Sequence, residues 1–178
     1  MKKIDNWENI EERKEFKNPT AGGYVCAVVK VEDVEDKEYL KIYYDIVEGE
    51  FKGYYTNLKN EGVFKDYPNF IASYKKTAES FFKGTITAFE KSNNGYKFNW
   101  DEKTLVKKKV GLVLFEEEYQ KANGSIGTSL KVDKAHSIQA IKDGDFKVPE
   151  KKLLDQSKSS TSGSPFGAST QSVEELPP

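Results

Sequence analysis

Residues 39–47, YLKIYYDIV, carry the pattern with the most chemical content in the chain. Side chains of a strand alternate between its two faces, so Leu40, Ile42, Tyr44 and Ile46 fall on one side and Tyr39, Lys41, Tyr43 and Asp45 on the other. The first set reads as a core face. The second alternates ring and cation, which suits a single strand of nucleic acid: rings stack on bases at roughly 1–3 kcal/mol each, and an ammonium between them meets a phosphate. Tyr24 and Lys30 fall on one face of the stretch before it, and Phe51 and Tyr55 on one face of the stretch after it. In-register pairing of three such strands would extend the patch. The plainer reading makes these tyrosines half-buried sheet residues under an N-terminal strap, because aromatic residues are common in strands.

Lys107-Lys108-Lys109 is a second candidate for phosphate contact, placed in a loop before an apolar strand. The same run also serves as a charged guard on that strand. Enzyme signatures fail one after another. Residues 84–92, GTITAFEKS, lack the glycine before lysine that a phosphate-binding loop needs. Asp33 or Asp45 with Glu50 and Lys52 has the look of a magnesium-dependent nuclease strand, but such short patterns arise by chance in a chain that is 32% charged. Glu116, Glu117 and Glu118 alternate in direction, so no more than two converge on a metal. His136 and Cys26 are each the sole residue of their type, which excludes a disulfide within the chain and a multi-cysteine zinc site. The expectation is a non-enzymatic protein with no metal and no cofactor.

These residues need a β framework. Residues 24–31, 38–47 and 51–56 read as a three-strand meander, with a polar turn at 33–37 and Gly49 at the second break. Next, Asn69 caps a predicted amphipathic helix in which Phe70, Ile71, Tyr74, Ala78, Phe81 and Phe82 recur at helical spacing and Gly84 ends the pattern. Residues 84–91 and 96–100 then read as strands around a Ser92-Asn93-Asn94-Gly95 turn. Residues 110–115 and 125–132 follow, joined near Asn123-Gly124, and 137–141 is a last short strand. Trp7, Ile10 and Phe16 lie across the body as a short helix or strap. The predicted fold class is mainly β: an OB-like β-barrel with one amphipathic helix between strands 3 and 4 and extra C-terminal hairpins. The alternative is a β-sandwich with one helix.

Composition divides the chain into a domain over 1–152 and a disordered tail over 153–178. The tail runs through a Ser/Gly-rich linker, SKSSTSGSPFGASTQ, that is too poor in apolar residues to order itself. It ends in Ser172-Val173-Glu174-Glu175-Leu176-Pro177-Pro178. The formal charge of the whole chain is -1, so no bulk basic field draws in DNA and binding falls to a local basic face. The cations are almost all lysine, with Arg13 the exception, which argues against guanidinium reading of a major groove. Ten tyrosines and eleven phenylalanines are more rings than a core needs, which implies rings on a surface. No apolar run is long enough to span a membrane, and the N-terminus lacks the apolar segment of a signal peptide. The expected location is the cytoplasm.

Five segments in order resemble a family encoded by phages of Gram-positive bacteria beside replication and recombination genes. They are Ala21-Gly22-Gly23-Tyr24-Val25, Tyr44-Asp45-Ile46-Val47-Glu48-Gly49-Glu50, Phe81-Phe82-Lys83-Gly84, Glu90-Lys91-Ser92-Asn93 and Gly144-Asp145-Phe146-Lys147-Val148-Pro149. The resemblance implies a phage single-stranded DNA-binding protein in a host bacterial cytoplasm. The tail is similar to those of single-stranded DNA-binding proteins, with Glu174, Glu175, Leu176 and Pro177 as the matching tip, though those tails usually close on Phe and this one closes on Pro178. That likeness implies docking of phage or host replication and recombination proteins. An oligomer is compatible with all of this. The rival function is a phage accessory protein-interaction factor without DNA affinity, and the third is the magnesium-dependent nuclease.

Overall fold

The structure is a computed structural model that describes residues 3, 5–9 and 17–154. Arg13, the Ile10 and Phe16 part of the expected strap, and the tail tip lie outside the described residues.

The thirteen-residue strand β1 (Gly22–Val34) organises the fold. Its first half, Gly22 to Ala27, pairs with β4 (Lys109–Gln120), and its second half, Cys26 to Val34, pairs with β2 (Tyr39–Ile46). β3 (Asn69–Ser73) adds to β2, and β5 (Ile126–His136) adds to β4. The result is one antiparallel sheet in the order β3-β2-β1-β4-β5, open between β3 and β5. A bulge between Val28 and Lys30 interrupts the β1–β2 register. Bulges bend a strand and increase its twist, which curls the sheet around its inner face. There Cys26, Val28, Leu40, Ile42, Tyr44, Ile46, Val110, Leu112 and Leu114 are buried.

The helix over that face is α2 (Glu79–Ser92), between β3 and β4 as expected but shifted along the chain, so that it shares only Glu79 to Gly84 with the expected helix. Phe82, Ile86 and Phe89, spaced by four and three, bury one stripe. At roughly 1.5–3 kcal/mol for each large apolar side chain, that stripe outweighs the cost of about 1 kcal/mol for Gly84 in a helix interior. Gly84 therefore does not end the helix, and 84–91 is helix rather than strand. The expected helix start at Asn69 is instead β3, where alternation sends Ala72 inward and leaves Ile71 exposed. The expected turn at 92–95 is instead the last residue of α2, Ser92, and the exit from it. The Asn93 amide donates to the carbonyls of Phe89 (2.8 Å) and Lys109 (2.7 Å) and accepts from Lys109 N–H (3.0 Å). It thus closes the helix and fixes the start of β4. Residues 96–100 form no strand.

Residues 51–56 do not continue the meander either. They turn into α1 (Tyr54–Asn60), whose N-terminus is capped from a distance by Asp45 on β2. The Asp45 carboxylate accepts from the N–H groups of Ile46 (2.8 Å), Tyr55 (3.0 Å) and Thr56 (3.1 Å) and from the Thr56 hydroxyl. Residues 138–141 lie in α3 (Ile138–Asp143) rather than in a strand, because Ser137 caps it by accepting from Ala140 N–H (3.2 Å) and Gly144 closes it at φ 73°. The β4–β5 hairpin turns at Gly124, where φ is 83°, as the Asn123-Gly124 pair predicts.

The outer face is covered piecemeal. α3 and Phe146 lie over β1 and β4, which approach so closely that a Cβ on Gly111 would sit 2.3 Å from Ile141 and one on Gly23 would sit 2.5 Å from the Phe146 ring. Residues 151–154 run beside β4: Lys152 N–H donates to the Glu116 carbonyl and Glu118 N–H to the Lys152 carbonyl, each at 2.9 Å. No helix among the described residues is long and apolar enough to cross a membrane.

Candidate nucleic-acid interface

β-register decides which candidate residues meet. Tyr43 on β2 faces Lys30 on β1, Lys41 faces Glu32, and Tyr39 faces Val34. On the far side Lys41 faces Ile71 and Tyr39 faces Ser73 of β3. Lys30, Glu32, Tyr39, Lys41, Tyr43 and Ile71 therefore share one outer surface across three strands. The Lys30 and Lys41 ammonium groups lie 4.8 Å and 5.0 Å from the Tyr43 ring centroid. The Tyr43 hydroxyl donates to Glu32 (3.0 Å), and Lys30 also pairs with Glu32. The Lys30 hydrogen bond, then that of Tyr43, holds the Glu32 carboxyl below its ordinary value, and Glu32 in turn raises Lys30. The Tyr43 side chain raises Lys41.

Two expectations fail on this surface. Tyr43 is only 4% exposed, because its ring is roofed by the two lysine stems and Glu32. A base meets that ring only after the lysines swing aside; Tyr39 and Lys41, half-buried, are the parts already open. Asp45 is not on an exposed face at all, since it is drawn into the α1 terminus.

The neighbouring candidates leave the patch. Tyr24 and Lys30 do not share a face: the bulge after Val28 inserts one residue and reverses the alternation. Tyr24 thus packs on the core side, its ring 6.2 Å from Phe51 and its hydroxyl donating to the Thr20 carbonyl (2.7 Å). Phe51 packs on Tyr54 as well, and Tyr55 is buried with its ring edge-on to Tyr44 at 5.9 Å. Both sit in the turn and helix after β2, not in a third strand. Burial raises the Tyr44 and Tyr55 hydroxyl pKa values above the usual range, as core residence requires.

The lysine run is placed in the turn before β4 and on its first residue. Lys107 is exposed with φ 67°, Lys108 lies 4.7 Å above the Tyr96 ring, and Lys109 pairs with Glu48 at 3.2 Å. The nuclease set does not assemble: Asp33 accepts from the Tyr74 hydroxyl (2.8 Å), Asp45 is buried, and Glu50 pairs with Lys17 (2.9 Å). No group of three potential metal ligands gathers among the described residues. Burial raises the Cys26 thiol above its ordinary value, with Asp45 a lesser cause.

Sequence reasoning missed Glu32, which neutralises Lys30, and Ile71, which reaches the outer surface only because 69–73 is a strand. It also missed Phe81 and Trp100, which are 75% and 83% exposed. A preference for alternation over helical spacing at 69–73 was the available signal for Ile71; nothing local marked Trp100. No family model matches the chain, and no curated protein matches it.

Proposed function

We propose that this chain is a non-enzymatic single-stranded DNA-binding protein that takes its strand across the outer face of β1, β2 and β3 with little sequence preference. The observation that carries the reading is the convergence of Lys30, Tyr39, Lys41, Tyr43 and Ile71 on one surface. The fold supports it. A long first strand shared between β2 and β4, a helix between β3 and β4, and the order β3-β2-β1-β4-β5 match an oligonucleotide-binding barrel opened between its third and fifth strands. Such barrels bind single strands on the face of their second and third strands. Lys107 and Lys108 add phosphate contacts at the far end. The resemblance to phage proteins puts this activity in phage DNA replication and recombination within a host bacterium, with Glu174, Glu175, Leu176 and Pro177 recruiting partner proteins.

The test is titration of the full chain with labelled oligo-dT at two salt concentrations, with and without Mg²⁺. Binding should weaken with salt, with a log–log slope of about 0.7 per phosphate neutralised. Lys41→Ala should reduce that slope by about one such unit, and Tyr39→Ala should weaken binding by about tenfold. No binding at low salt would favour the protein-interaction factor, and Mg²⁺-dependent cleavage would favour the nuclease.

A further inference from the structure

The opening between β3 and β5 is lined along its length. One groove, of about 740 Å³, has β3, the first turns of α2 and residues 131–135 of β5 as its walls. A second, of about 440 Å³, is lined by Phe64, Asp66 (paired with Lys59), Tyr67 and Pro68 on one side and by Tyr119 and residues 128–130 on the other. Pro68 and Asn69 are consecutive, as are Leu130 and Lys131, which places the second groove next to the first along both walls. At about 3.3 Å per strand residue, the eight residues from Thr128 to Ala135 give a seam roughly 26 Å long.

Three features of the seam are those that a single strand needs. Apolar groups stand in the open: Phe81 is 75% exposed, Ile71 59%, and Phe64 and Tyr119 44% each. Lys131 and Lys134 are exposed and, among the described residues, have no ion pair; Asp133 between them and the more distant Glu117 oppose their charge without bonding to it. On the outer face, by contrast, Lys30 is already paired with Glu32. Lastly, the β3 edge offers hydrogen-bonding backbone. Tyr44 N–H bonds to the Pro68 carbonyl and Tyr74 N–H to the Glu38 carbonyl, which sets the ladder phase. Alternation then turns the N–H and C=O groups of Asn69, Ile71 and Ser73 away from β2 and into the seam. Ile71 belongs to both surfaces, since it faces Lys41 across β2–β3 and also lines the groove.

We propose that the seam is a second segment of the nucleic-acid path. A single strand crossing the outer face of β2 and β3 passes over Ile71 and continues between β3 and β5, with bases against Phe81 and phosphates against Lys131 and Lys134. This rests on the single-strand reading above. It adds residues on α2 and β5 that the outer-face reading leaves unused.

The experiment uses the full chain with short and long oligo-dT, about 6 and about 20 nucleotides, to bracket the site sizes of single barrels. Phe81→Ala and the double variant Lys131→Gln/Lys134→Gln alter exposed side chains, and circular dichroism confirms that each folds. Each should weaken binding of the long oligonucleotide by about tenfold and that of the short one much less. The double variant should also lower the salt slope by about 1.4, or 0.7 for each phosphate contact removed. Oligonucleotides carrying 4-thiothymidine should crosslink on irradiation to peptides spanning 64–73, 78–85 and 128–135. If the variants bind within twofold of the unsubstituted chain while Lys41→Ala weakens binding, the seam proposal is overturned and the outer-face reading stands. Crosslinks confined to residues 30–43 overturn it in the same way. An unsubstituted chain that binds neither oligonucleotide at low salt removes the single-strand reading, and the seam proposal goes with it.

Discussion

Tyr43 and Tyr44 are adjacent, chemically identical and about equally hidden, at 4% and 2% exposure, yet they are hidden by different things. Tyr44 is enclosed by the Tyr55 and Phe70 rings in the continuous inner core. Tyr43 lies under Lys30, Lys41 and Glu32, groups that have water on their other side. The inner face is one packed body; the outer face is a set of local covers. Low exposure therefore marks structural necessity on one face and a removable lid on the other.

The largest expected effect tests that difference directly. Tyr44→Ala should destabilise the fold by about 3–5 kcal/mol, as for other large buried aromatics. Tyr43→Ala should cost only about 1–2 kcal/mol, because the lysine stems can settle into the space. Chemical denaturation measures both, and equal losses would break the comparison. Asp45→Ala comes next. It strips one carboxylate from three backbone N–H groups and a hydroxyl, at an expected cost of about 2–3 kcal/mol, with the faster hydrogen exchange confined to the first turn of α1. Protection unchanged at Tyr55 and Thr56 would show that the helix start is held by something else.

Gly111→Ala sharpens the view of the outer face. The new methyl meets Ile141 at 2.3 Å and the backbone carbonyls of His136 and Ser137 at 3.0 Å. A loss of about 1–3 kcal/mol is expected, with α3 shifted and the inner core unchanged; nuclear magnetic resonance shifts that spread to Ile86 or Phe89 would contradict a local cover. The smallest effect is acidic. Lys152 and Lys151 hold the Glu117 and Glu118 carboxyls below their ordinary 4.5. A depressed carboxyl pKa stabilises above its unfolded value and loses that contribution as pH falls through the folded value. Residues 151–154 should thus lose exchange protection, taken relative to the intrinsic rate at each pH, selectively as pH drops below 4.5, and release already at neutral pH would mean that the ion pairs do not hold this segment.

The sequence spoke most clearly where burial is one-sided and continuous. The inward set on β2, both strands of the last hairpin and its Asn123-Gly124 turn follow from alternation and turn chemistry. It misled where two periodicities overlap. Phe70, Ile71 and Tyr74 fit helical spacing as well as Phe82, Ile86 and Phe89 do, and only the ladder to β2 separates them. The patch was half legible. Lys41, Tyr43 and Lys30 do meet, but a one-residue bulge removed Tyr24 from their face, and a carboxylate ten residues upstream made a helix of the segment holding Tyr55. Neither leaves a local trace in the chain.

The two halves of β1 differ in how far along the chain they must reach. Cys26 meets Ile46 and Val34 meets Tyr39, whereas Val25 meets Gly111. Closing a short loop costs less chain entropy than closing a long one, so the β1–β2 hairpin forms on local terms and the β1–β4 ladder waits for most of the intervening chain. Substitutions in the second half of β1 should slow folding, and those in the first half should mainly speed unfolding. One strand thus belongs to two moments of the folding reaction, with the bulge after Val28 close to the boundary between them.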